Sequence, residues 1–139
     1  MVAKIYTAPQ VIKVGLELGG FDLGRWDLES TMNHRRFKAF YGSSYIAIAS
    51  VWEDLMTTHI VEARLNREQD CLESFLVAMC FLKVYASEHV TAGLFRLSEP
   101  TVRKYCWYYS KKVQALKDQV VSLLELCVHY NGSHQVWCI

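Results

Sequence analysis

Apolar residues recur along this chain at intervals of three and four, the spacing of one face of an α-helix. Val11, Ile12, Val14, Leu16 and Leu18 predict a first helix over Ala8–Leu18, ended by Gly19-Gly20. The stretch FDLGRWDLEST is irregular, although Phe21, Leu23, Trp26 and Leu28 are suited to pack onto a core. NHRRFKAFY predicts a short basic helix over Asn33–Tyr41, stopped by Gly42. Ser43 or Ser44 then caps a helix over Tyr45–Thr57, with Ile46, Ala49, Ser50, Trp52 and Leu55 as its expected inner stripe. His59 to Gln69 is polar enough for a loop or a frayed helix. Asp70 is placed to cap a helix over Cys71–Tyr85, apolar nearly all round from Phe75 to Leu82 and hence expected at the centre.

Ser87 and Ser98 cap the last two helices, Glu88–Phe95 and Glu99–Tyr130. The long one has the clearest period. Val102, Tyr105, Cys106, Tyr109, Val113, Leu116, Val120, Leu123, Leu124 and Cys127 fall on one stripe, while Pro100, Lys104, Trp107, Lys111 and Asp118 point the other way. There is no alternating pattern, no internal repeat and no low-complexity tract, so the fold class expected is all-α, with a long C-terminal helix. The division expected is an N-terminal extension over 1–32, a helical domain over 33–130 and a tail over 131–139.

Length and composition agree with one globular domain: 139 residues, 52% hydrophobic and 21% charged. The net charge of +1 places any nucleic-acid surface in local segregation of charge. Glu53, Asp54, Glu62, Glu68, Asp70 and Glu73 make the middle of the chain acidic. Arg96, Arg103, Lys104, Lys111, Lys112 and Lys117 make 96–117 basic, with Glu99 the one acid among them. The N-terminus lacks the apolar block and cleavage site of a signal peptide, and the longest apolar run, Phe75 to Leu82, is far short of the roughly 20 residues that span a bilayer. The five cysteines, at 71, 80, 106, 127 and 138, are odd in number and scattered, which reads as reduced thiols in an intracellular protein.

AGLFRLSEPTVRKY, from Ala92 to Tyr105, has the layout of a helix-turn-helix, placed over 87–112. Ala92 allows two helices to approach, and Phe95 and Leu97 plug the corner. Ser98 caps the second helix, a contribution of about 1 kcal/mol. Pro100 is tolerated in its first turn, where the missing N–H has no helical partner to lose. Val102 and Tyr105 face back to the first helix. The turn position four residues after Ala92 needs positive φ and usually holds Gly; here it is Arg96, at a cost of roughly 1 kcal/mol. The N-terminus of such a second helix enters the major groove of double-stranded DNA. The DNA-binding residues expected are Arg96, Ser98, Thr101, Arg103, Lys104, Trp107 and Lys111, with base-edge contact from Thr101 or Arg103. Arg35, Arg36 and Lys38 form a second basic patch.

HRRFKAFYG, a helix containing Trp52, then FLVAMCFLKVYASEH and AGLFRLSEPTVRKYCWYYSKKVQAL together resemble the N-terminal region of DDE-type transposases, of the Harbinger-like and insertion-sequence-derived kind, over about residues 33–117. The resemblance implies a DNA-end-binding part that precedes a nuclease domain whose three carboxylates hold two Mg²⁺. After Asp118 the chain has no Asp and only Glu125. The expectation is therefore a fragment, a truncated copy or a captured module that is not an enzyme, takes no cofactor, and resides in a nucleus or nucleoid. Cys127, His129, His134 and Cys138 are zinc-type ligands in an unusual spacing, read as a tail without metal. His59 and His89 lack a catalytic partner at a fixed offset. The competing expectation is a helical protein-interaction module, a homodimer through the stripe of the last helix.

Overall fold

The computed structural model describes residues 5–21, 27–58, 71–84 and 86–130, the stretch 119–130 as helix backbone only. The described residues form six helices and no strand: α1 (Ala8–Leu18), α2 (Thr31–Tyr41), α3 (Tyr45–Thr57), α4 (Leu72–Val84), α5 (Glu88–Phe95) and α6 (Glu99–Tyr130). Hydroxyl side chains start five of them. Thr7, Ser30, Ser44, Ser87 and Ser98 each accept a hydrogen bond from the backbone N–H three residues on, and Thr7 forms a reciprocal capping box with Gln10. Ser30 is the reason α2 begins two residues before the expected Asn33. Asp70, the expected cap of α4, and His59 lie outside the described residues.

α4 is the hub. Leu72, Ser74, Phe75, Leu76, Val77, Ala78 and Cys80 are buried on it, and α1, α2, α5 and α6 all pack against it. A helix apolar nearly all round needs neighbours on most sides, and they cover α4 as far as Cys80, while Leu82 and Val84 in its last turn are exposed. Its join to α6 is aromatic and polar together. Trp52, Phe75 and Tyr109 meet pairwise at 5.2–6.4 Å between ring centroids, so that α3, α4 and α6 share one cluster. The Tyr109 hydroxyl donates to the Cys71 carbonyl (3.2 Å) and lies 3.1 Å from Ser74 Oγ. Burying each of these rings contributes about 1.5–3 kcal/mol, and the hydroxyl contacts keep the buried oxygens satisfied.

α1, within the segment set apart as an N-terminal extension, shares the common core: Val11, Ile12 and Leu16 are fully buried, and the helix packs on α2, α3 and α4. Its apolar face is too large to leave in water. The inner stripe of α3 is rotated from the one expected. Tyr45, Ile48, Ala49, Trp52, Leu55 and Met56 are buried, whereas Ile46 is 59% exposed and Ser50 is at the surface. The larger rings Tyr45 and Trp52 set the phase, and Ile46 lies roughly 100–120° round the helix from them, outside the buried stripe.

Candidate nucleic-acid interface

α5 and α6 are joined by three residues. α5 ends on Arg96, which adopts φ 58° and ψ 42°, the left-handed conformation expected at that position. It is the one non-glycine residue with positive φ among the described residues. The amides of Arg96 and Leu97 both bond to the Ala92 carbonyl, and Ala92 and Phe95 are buried in the corner. Ser98 opens α6: its hydroxyl lies 3.4 Å from the Thr101 amide and 2.7 Å from the Thr101 hydroxyl. Val102, Tyr105, Cys106 and Tyr109 are buried beneath. The corner is therefore a capped, tight turn with an apolar floor.

The opposite face of α6 is open. Pro100, Arg103, Lys104, Trp107, Lys111, Gln114 and Asp118 are all exposed on it. Trp107 is 65% exposed, the highest value of any large apolar side chain described. Lys104 and Lys111 stand three residues before it and four after it, one helical turn in each direction. Neither lysine has an ion pair among the described residues. Trp107, Tyr108, Lys111, Lys112 and Ala115 line a shallow open hollow, in which Lys112 Nζ lies 5.2 Å from the centre of the Tyr108 ring.

Two acid–base pairs tie α5 to α6 beside this face. Glu88 holds Arg103: Nη2 is 2.6 Å from Oε2, and Nε is 2.9 Å from Oε1 and 3.1 Å from Oε2. His89 Nδ1 lies 2.7 Å from Glu99 Oε1. The Arg103 guanidinium keeps the Glu88 carboxyl below its ordinary range, and Glu88 in turn raises the already high pKa of Arg103. The sequence reading, which gave Arg103 a contact to DNA, did not name this partner. Fifteen residues separate the two, and only the angle of the corner brings them together. Glu88 at the start of a capped helix, with an arginine on the outer face of the next, was the available signal.

The second basic patch is divided by α2. Arg36 and Lys38 lie roughly 160° apart around the helix axis. Arg36 sits 5.4 Å from the centre of the Phe21 ring; Phe21 meets Phe40, and Phe40 meets Phe95 at the end of α5 (5.8 Å each). Lys38 shares the flank of His34, whose ring meets Tyr45 of α3. Arg35 lies between them, exposed.

Among the described residues no cluster of His, Cys, Asp and Glu is arranged to hold a metal ion, and no helix is long and apolar enough to cross a membrane. The side chains of Cys127, His129, His134 and Cys138 lie outside the described residues. Comparison with known protein families, with characterised proteins and with solved structures gives no match.

Proposed function

We propose that this chain is a DNA-binding module that lays the N-terminal half of α6 in the major groove. The observation that carries the reading is the solvent-exposed Trp107, flanked by Lys104 and Lys111 on the helix that follows a capped tight turn. A tryptophan left in water costs apolar burial unless a partner covers it. Lysines one turn to either side suit that partner to be a polyanion. The helix N-terminus adds partial positive charge near Ser98 and Thr101. The sequence resemblance supports reading the module in the end-binding role of a DDE-type transposase, in a nucleus or nucleoid, with catalysis left to other parts of such proteins.

A helical interaction module is the second reading. It is favoured by Val90 and Leu94, which are 57% and 45% exposed one turn apart on α5 and suit a homodimer contact.

The test is fluorescence anisotropy of purified protein on duplex DNA at ~50 and ~200 mM salt, with light scattering for mass. Four to six phosphate contacts give a log–log salt slope of roughly −4 to −5, a loss of about 250- to 1,000-fold over that range. Lys104→Ala/Lys111→Ala flattens the slope by about 2, and Trp107→Ala weakens binding without unfolding the protein. No binding at the lower salt, together with dimer mass, replaces this reading by the second.

A further inference from the structure

The Glu88–Arg103 contact leaves one edge of the guanidinium unused. Arginine has five N–H donors in a rigid plane. Glu88 occupies the side edge, made of Nε–H and one Nη2–H. The outer edge, one Nη1–H and the second Nη2–H, carries two parallel donors on a side chain that is 55% exposed and lies on the same face as Lys104 and Trp107.

We infer that Arg103 reads a guanine through this outer edge and that Glu88 is its positioning residue. The inference rests on the DNA-binding reading above. Guanine presents O6 and N7 as paired acceptors in the major groove, spaced for two parallel donors. A phosphate also offers paired acceptors, but the two acceptors are distinguished by charge. The Glu88 carboxylate lies against the guanidinium, so a phosphate brought to the same arginine meets a like charge. The guanine edge is uncharged and meets none. Fixing the guanidinium beforehand also removes rotamer freedom that an unpaired arginine loses on binding. Arg103 and Glu88 together are neutral, so this contact releases few counterions. It contributes to sequence preference and little to salt dependence, the reverse of Lys104.

The test starts from selection of bound duplexes out of a random library by the wild-type protein. A fixed G·C pair is expected in the selected site. Replacing that guanine by 7-deazaguanine, which lacks the N7 acceptor, weakens wild-type binding by about 5- to 150-fold. Arg103→Ala and Arg103→Lys erase the preference at that pair while leaving the salt slope within about 0.5 of wild type, because lysine is a point donor and not a fork. Glu88→Gln frees the arginine for phosphate: non-specific affinity rises, the slope steepens by about 1, and the guanine preference falls. Circular dichroism confirms that each variant stays folded. A selected site without a fixed guanine, or one whose preference survives in Glu88→Gln and Arg103→Ala, overturns the inference and leaves the DNA reading standing. An Arg103→Ala slope flatter by about 1 with preference intact assigns the arginine to phosphate. Absence of DNA binding at low salt overturns both.

Discussion

The Tyr41 hydroxyl donates to the Gly15 carbonyl across the crossing of α1 and α2, and the same glycine has Phe37 and Tyr41 rings where a side chain would stand. A Cβ on Gly15 would come 2.9 Å from Phe37 Cδ2 and 3.0 Å from Tyr41 Cε2. Both rings are fully buried and have nowhere to move. Gly15→Ala therefore destabilises the fold by about 1–2 kcal/mol, the overpacking cost exceeding the roughly 1 kcal/mol of helix propensity gained. Tyr41→Phe costs about 1 kcal/mol through the lost hydrogen bond. Gly93 is the control: a Cβ there meets open space, so Gly93→Ala stabilises by about 0.5–1 kcal/mol. Urea unfolding midpoints order the three.

Arg96 bears a backbone conformation that glycine adopts without strain. Arg96→Gly is expected to raise stability by about 0.5 kcal/mol, since relief of the left-handed strain is partly offset by the freer unfolded chain. Arg96→Ala keeps the strain and gives no such gain. Both remove one charge beside the turn, so both flatten the salt slope of DNA binding by about 0.9. Equal melting of the two variants would contradict the strain assignment.

The two flanks of α2 predict unequal effects. Arg36 belongs to the ring series that ends at Phe95, next to the turn, so Arg36→Gln weakens DNA binding about two- to fivefold at ~100 mM salt, the scale of losing one partly screened phosphate contact. Lys38→Gln, on the flank that faces α3, leaves the affinity unchanged. The same loss in both would mean that the helix does not separate them.

Burial and the Cys106 thiol push the Cys80 thiol up to about 11, and burial and Glu88 push Cys106 up to about 11, from an ordinary value near 9. Below pH 9 both thiols are protonated folded or unfolded, and stability does not depend on them. Between about 9 and 11 the unfolded chain releases these protons and the folded one retains them, so stability falls as pH rises through that window. Iodoacetamide at pH 8 should label neither thiol in the native protein, and should label both once urea unfolds it. Labelling of Cys80 or Cys106 in the native state would show that α4 and α6 part readily.

The helices are legible in the sequence because their signals are local. Gly19-Gly20, Ser44, Ser87, Ser98 and the stripe Val102–Tyr105–Cys106–Tyr109 act within one or two turns, and α1, α3, α5 and α6 span the residues expected of them, while Gly42 ends α2. The exposure of Lys104, Trp107 and Lys111 follows from the same period. The rest depends on contacts between distant segments. That Glu88 grips Arg103, that Phe21 lies under Arg36, and that Tyr41 finds Gly15 are set by the angles at which helices cross, which no periodicity encodes. The phase of α3 falls between these cases: Ile46 and Ile48 are equal in hydrophobicity, and the choice is made by Tyr45 packing on His34 and Phe37 of α2 and by Trp52 packing on Phe75 of α4 and Tyr109 of α6.

α6 runs unbroken from the capped corner, past its last described buried residue Leu116, to Tyr130. At about 1.5 Å and 100° per residue, the far end is carried some 20 Å beyond that anchor in a fixed direction and at a fixed azimuth. Such a helix behaves as a torsion rod and not as a hinge. One residue inserted or deleted after Leu116 swings everything distal through about 100°, while a whole-turn change of seven residues nearly restores the original bearing.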